Sequence, residues 1–295
     1  MTTKRKAAKK LKPQKRRRSV RPTPRAALSV ATDQKKSISQ RVKAMAETSF
    51  EVCEDDDNFQ RLLTVLQDEG ESSKVRLAAF QSLQAAAFSV VAFESCRSDY
   101  IAALEKVATD KDPAVRRRAL GTLSREKNPY AQKLLLDGLK DPDKALVPPE
   151  KALQLLGNDL HTDAYPIARE IVNNPPNEAS KQEALRLLAA DASSVPVFER
   201  LLRDKSEKRE VRQISAAALQ AVQPKKFQQQ AKELLLDNDE YDDIQATALT
   251  ALTHFGDQAG VTNDEALLKR VDKLGRGKSA KIKKSAKKFL SRYRG

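Results

Sequence analysis

The sequence predicts an all-α protein built as a solenoid of stacked helix pairs. Three observations predict it. A short phrase recurs along the chain, each copy has the spacing of a buried helix face, and turn signals separate each copy from an apolar stretch upstream. The phrase is clearest as Asp112-Pro113-Ala114-Val115-Arg116, with Ala119 and Leu123 beyond it. Aligned on Val115, its counterparts are Val75, Pro148, Ser180, Val211, Ile244 and Ile282, at steps of 40, 33, 32, 31, 33 and 38. A period in this range belongs to stacked units and not to a globule with one core.

Each element follows from the spacing. Four residues after every anchor stands a small residue: Ala79, Ala119, Ala152, Ala184, Ser215, Ala248 or Ala286. Eight residues after it stands Leu83, Leu123, Leu156, Leu188, Leu219, Leu252 or Leu290. Positions i, i+4 and i+8 share one helix face, and the small residue marks the closest approach of a neighbouring backbone. A second apolar stretch precedes each anchor, as in Tyr100, Ile101, Leu104 and Val107, then Leu134, Leu135, Leu136 and Leu139, and later Leu234, Leu235 and Leu236. Between the stretches lie Lys111-Asp112-Pro113, Asp141-Pro142-Asp143, Asn173-Asn174-Pro175-Pro176 and Asn238-Asp239, which are turn signals. Each unit therefore reads helix, turn, helix. Neither helix buries its stripe alone, so neighbours must stack.

The phrase Asp112, Pro113, Val115, Arg116, Ala119 and Leu123 resembles the HEAT-repeat family, over roughly residues 57–295. The resemblance implies a right-handed α-solenoid of about seven stacked HEAT-like helix pairs. It also implies that the residue after each anchor pairs with an acidic turn residue of an adjacent unit. Those residues are Arg76, Arg116, Lys181, Arg212 and Lys283. They read either as a structural ladder tying the turns together or as a cationic stripe toward a partner. Only the second unit keeps the whole phrase. Pro148-Pro149 opens the third unit's second helix, a tolerated use of proline in a first turn. The last unit has Lys287 where its neighbours are apolar, as an exposed end unit would.

Charge divides the chain. Of the net +15, residues 1–25 hold +12 with no acid and residues 264–295 hold +9, so the residues between carry −6. Three segments follow: a disordered basic tail over 1–36, a capping helix and acidic linker over 37–56, and the solenoid with a basic last unit over 57–295. Ile38, Val42, Met45 and Ala46 give the capping helix its apolar side. Glu54 through Asp57 favour the start of the first repeat helix through the helix dipole.

The candidate polyanion or partner-binding residues are cationic. In the tail they are Lys4, Arg5, Lys6, Lys9, Lys10, Lys12, Lys15, Arg16, Arg17 and Arg18. The second unit adds Arg116, Arg117 and Arg118, and the last helix adds Lys281, Lys284 and Lys288. Each Lys or Arg near a phosphate releases condensed counterions, which is why such runs suit a polyanion. The tail also reads as an acidic-protein contact, a nuclear import signal or a solvated extension. Arg16-Arg17-Arg18-Ser19 has the form of a basophilic kinase site. Tyr293 is the aromatic residue placed to stack on a base, and a merely solvated outer face is the other reading of the C-terminal lysines.

Catalytic patterns are weak. His161 and His254 stand far apart and read as surface or interface residues. Cys53 and Cys96 have neither metal-motif nor disulfide-framework spacing, which fits a reducing compartment: cytoplasm, or nucleus in a eukaryote. The longest apolar stretch, Ala85 to Phe93, is too short to span a bilayer. HEAT-repeat di-iron hydroxylases carry repeated His-Glu pairs and HEAT-like DNA glycosylases a tryptophan, and both are missing here. A likeness to the bilin-lyase type of repeat lies in the turns. The expectation is a non-enzymatic adaptor without a cofactor. It holds a protein partner in the solenoid groove and nucleic acid or an acidic protein at its basic termini. The alternatives are a solenoid that itself cradles DNA or RNA, and a bilin-lyase-like or base-excision-like enzyme.

Overall fold

The computed structural model describes residues 23–48, 52–159 and 162–294, and among them all regular structure is helical. The chain divides into two compact units, Met1–Ala103 and Leu104–Gly295.

The first unit opens with α1 (Pro24–Thr32) and α2 (Ile38–Ala46), then α3 (Asp56–Gln67) and α4 (Ser73–Ala86). Thr23 caps α1 by accepting from the Ala26 N–H, and Pro24 suits the first turn because the N–H it lacks would have had no partner there. Asp55 caps α3 through the N–H groups of Asp57 and Asn58 at 3.1 and 3.4 Å, with Asp56 and Asp57 in the first turn. α1 packs on α2, α3 packs on α4, and α2 lies against α4. The first pair is thus built on the same plan as the second.

This corrects two expectations. Residues 24–32 are helical and not part of a basic tail reaching residue 36: Ala27, Leu28 and Ala31 are buried. The capping helix also turns a different side inward. Ile38 is 44% exposed, whereas Arg41, Ala44 and Met45 are buried. Beyond α4 an insertion accounts for the long step of 40. It forms the short α5 (Val90–Phe93) before α6 (Arg97–Val107), and it leaves Phe88, Val90 and Val91 exposed while Phe93 packs edge-on against Phe59 and Tyr100.

The second unit continues with α7 (Pro113–Arg125), α8 (Pro129–Lys140), α9 (Pro149–Leu156), α10 (Tyr165–Asn173) and α11 (Glu178–Leu188). Then come α12 (Val195–Arg203), α13 (Arg209–Val222), α14 (Pro224–Leu236), α15 (Asp242–Phe255), the short α16 (Gln258–Thr262), α17 (Glu265–Gly275) and α18 (Ala280–Tyr293). α7, α9, α11, α13, α15 and α18 follow one another in one layer. α8, α10, α12, α14 and α17 each back onto the helix that completes their pair. The repeat register is the one the spacing predicts. Val75, Val115, Ser180, Val211, Ile244 and Ile282 are buried, as is every small residue four positions on. In the third column Leu83, Leu123, Leu156, Leu188, Leu219 and Leu252 are buried, each contributing roughly 1.5–3 kcal/mol, whereas Leu290 of the last helix is half-buried. Pro148 departs from the pattern: it stands exposed as the N-cap of α9.

Candidate functional site

The residue after the anchor builds a ladder at Arg76, Lys181 and Arg212. In α4, Arg76 sends its Nε to the carbonyl of Leu66, 2.9 Å away and ten residues upstream. Arg212 of α13 does the same to Leu202 at 3.0 Å, and its fork closes on both Glu240 oxygens at 2.9 and 2.6 Å. Lys181 of α11 reaches Glu207 at 2.6 and 2.8 Å. Arg41 of α2, which the repeat alignment did not include, bonds the Ala31 carbonyl at 2.9 Å and pairs with Glu71. The acid stands four residues before the next anchor in each case: Glu71 before Val75, Glu207 before Val211, Glu240 before Ile244. Arg76 and Arg212 are buried, and a buried guanidinium is stable only with its donors satisfied. The ladder is therefore structural. Its cations are spent inside the protein and make no track toward a partner.

The ladder is interrupted in the middle of the second unit. The position after Pro148 is Pro149, and the position four before Ser180 is Pro176. Both members of that rung are proline. A cleft of about 570 Å³ lies there, walled by Pro142, Pro148, Pro149, Pro176, Leu146 and Ile171, with Arg116 at its side. Arg116 bonds carbonyls: its Nε reaches Leu146 O at 2.7 Å and its Nη1 reaches Asp110 O at 2.6 Å. Gly138 lets the 142–147 loop fold back on α8, since a Cβ there would stand 3.0 Å from the Ala145 backbone. The walls are apolar and stiff, a shape suited to an extended chain segment.

The basic end is a different kind of surface. α18 carries Ile282, Ala286, Phe289 and Tyr293 inward. Its remaining surface is cationic, and residues 280–294 include no acid. Lys281, Lys284 and Lys288 fall at i, i+3 and i+7 on one exposed stripe. Lys283 and Lys287 line the groove between α17 and α18. None of these five makes an ion pair among the described residues, whereas Lys181, Lys205, Lys208 and Lys232 each do. Lys283 is therefore not a rung of the ladder. The rung next to it is made otherwise: Gln245 donates to Asp237 O, and Arg270 from α17 reaches Leu235 O at 2.8 Å. Arg270 carried no repeat signal, because it sits on a first helix.

Tyr293 corrects the stacking expectation. Its ring is buried, and its hydroxyl donates to Leu252 O at 2.7 Å, with Gly256 O at 3.1 Å. It anchors α18 and offers no face to a base. Arg116, Arg117 and Arg118 stand on α7, a different helix from the lysines of α18, and Arg117 and Arg118 are exposed. Lys4, Arg5, Lys6, Lys9, Lys10, Lys12, Lys15, Arg16, Arg17 and Arg18 lie outside the described residues, as does His161. His254 is exposed beside Phe255. Cys53 and Cys96, distant in sequence, meet in the first unit. Burial, then the neighbouring Cys96, push the Cys53 thiol up to about 12, which makes it a poor nucleophile at neutral pH. Among the described residues no three His, Cys, Asp or Glu side chains gather into a metal-holding group, and no single helix is long and apolar enough to cross a membrane.

Residues 59–148 match the family model for HEAT repeats. With the helix-pair layers described above, the fold is all-α with HEAT-repeat, solenoid-like packing. No curated protein matches the sequence. Among solved structures, one similar chain belongs to the complex of CpcE and CpcF of phycocyanin lyase from Nostoc sp. PCC7120. It is 16% identical, covers 96% of this chain and 99% of that one, and has a TM-score of 0.31. Another is human deoxyhypusine hydroxylase in complex with glycerol, 14% identical, with coverage of 81% and 96% and a TM-score of 0.33.

Proposed function

We propose that this protein is a non-enzymatic HEAT-repeat scaffold that holds a protein segment on its solenoid surface and grips a polyanion with its basic last helix. The observation that carries the reading is the unpaired cationic surface of α18. The lysines Lys181, Lys205, Lys208 and Lys232 are neutralised by acids across turns and helices. Those of α18 crowd one another without a counter-charge, which raises the folded state's self-repulsion and favours an external anion. The tail over residues 4–18 is proposed as a second contact of the same kind. A solenoid that cradles nucleic acid along its body is less well supported, because Arg41, Lys181 and Arg212 are committed to internal acids. The proline-walled cleft at Pro149 supports docking of a protein segment on the body.

The test is fluorescence anisotropy of the full chain with a labelled duplex across a salt series. The triple variant Lys281→Ser, Lys284→Ser, Lys288→Ser is expected to bind more weakly, with a slope of log affinity against log salt shallower by about 2.7, at roughly 0.9 per lost phosphate contact. An unchanged slope removes α18 as the grip.

A further inference from the structure

The groove between α17 and α18 is more than the side of a charged helix. It is a cleft of about 540 Å³ that holds four cations, Arg276, Lys283, Lys287 and Arg294, around one carboxylate, Asp272. Lys283, Lys287 and Arg294 follow one face of α18 and its C-cap. Eleven residues at about 1.5 Å per residue spread them over roughly 16 Å, room for more than one phosphate of a strand. Arg276 faces them from the end of α17. Its planar fork is the side chain best matched to a phosphate.

Asp272 ties the two arginines down. Its Oδ2 accepts from Arg276 Nη2 at 2.7 Å, and its Oδ1 lies 3.9 Å from Arg294 Nη1. The Arg276 side chain is 79% exposed, so this pair is weak and readily exchanged. Lys283 and Lys287 make no ion pair among the described residues, although Asp272 lines the same cleft. The cleft contains no aromatic side chain, and Tyr293 next to it is buried with its hydroxyl bonded to backbone. Such a site recognises phosphates and not bases.

We propose that the α17–α18 cleft binds the phosphodiester backbone of a single nucleic-acid strand through Arg276, Lys283, Lys287 and Arg294, with Asp272 as an internal competitor that phosphate displaces. The proposal rests on the polyanion reading above and assigns it a site, a ligand class and a regulator. Because only backbone is read, binding is indifferent to base sequence.

The experiment uses the full chain with labelled 20-nucleotide single strands of DNA and of RNA, a duplex, and a doubly phosphorylated peptide, with circular dichroism to confirm the fold of every variant. Asp272→Asn is expected to tighten single-strand binding about fivefold. Lys283→Ser with Lys287→Ser is expected to weaken it and to reduce the salt slope by about 1.4, at roughly 0.7 per contact for single strands. The Asp272→Asn gain is expected to persist in the Lys281→Ser, Lys284→Ser, Lys288→Ser background, which separates the cleft from the outer stripe. Equal affinity for DNA and RNA strands identifies the shared backbone as ligand; a preference for one assigns the source and keeps the phosphodiester site. If the chain binds oligonucleotides but Asp272→Asn and the cleft lysines change nothing, the cleft proposal falls and the polyanion reading stands. No oligonucleotide binding overturns both, and tighter binding of the phosphopeptide than of either strand overturns the phosphodiester assignment.

Discussion

Pro149 and Pro176 occupy, on neighbouring helix pairs, the two positions that hold a cation and its acid in the intact rungs Lys181–Glu207 and Arg212–Glu240. Losing both partners together leaves no orphaned charge, and the space becomes an apolar cleft. Losing one partner leaves a buried charge alone. The ladder's energetics follow from that difference.

Arg212→Met is expected to destabilise the protein by about 3–5 kcal/mol, because the Glu240 side chain is fully buried and keeps only the half-exposed Lys205 and the Tyr241 N–H. Arg212→Met with Glu240→Leu is expected to recover much of the loss, in imitation of the proline rung. Urea unfolding of the three proteins checks this. A double variant as unstable as the single one contradicts it.

Glu71 supplies a pH dependence. Burial pulls its carboxyl up, but the Arg41 guanidinium and the Ser72 N–H pull it down further, to below the ordinary value near 4.5. A carboxylate lowered on folding stabilises the fold above its unfolded value and loses that contribution as pH falls through the folded one. Glu71→Gln is therefore expected to be less stable at neutral pH and to show a flatter decline below about pH 4.5. Melting temperature against pH gives the answer, and parallel curves for the two proteins count against the pair's role.

The column of small residues is where the helices touch. Ala119 and Ala184 are fully buried, so Ala119→Glu or Ala184→Glu places an unpaired charge between packed helices. Each is expected to destabilise by several kcal/mol, measured by thermal melting. A variant that melts with the parent shows that the helix face has been assigned wrongly.

The fold was legible because its signal is spacing. Val115, Ala119 and Leu123 need only a helix and a neighbour to be explained, and every copy but the one at Pro148 buries its anchor. The first pair was hidden by charge. Arg25 and the run before it masked Ala27, Leu28 and Ala31, and Arg41 holds a buried position that looks polar in sequence. The site was legible only in part. Lys281, Lys284 and Lys288 follow from helical spacing, and Lys287 marked the open end of the repeat pattern. Arg276 and Asp272 did not stand out, because they come from the other helix of the pair and meet α18 only by packing. The meeting of Cys53 with Cys96 depends on the inserted α5 region and has no periodic signature.

The most direct test of the scaffold's polyanion grip compares the full chain with a chain starting at Thr23 in duplex titrations from low to high salt. Starting there spares Thr23 and Pro24, which begin α1. The truncated chain is expected to stay folded and to keep a measurable negative salt slope, which then becomes shallower with Lys281→Ser, Lys284→Ser and Lys288→Ser. A truncated chain that binds no duplex at low salt would contradict the assignment of the grip to α18.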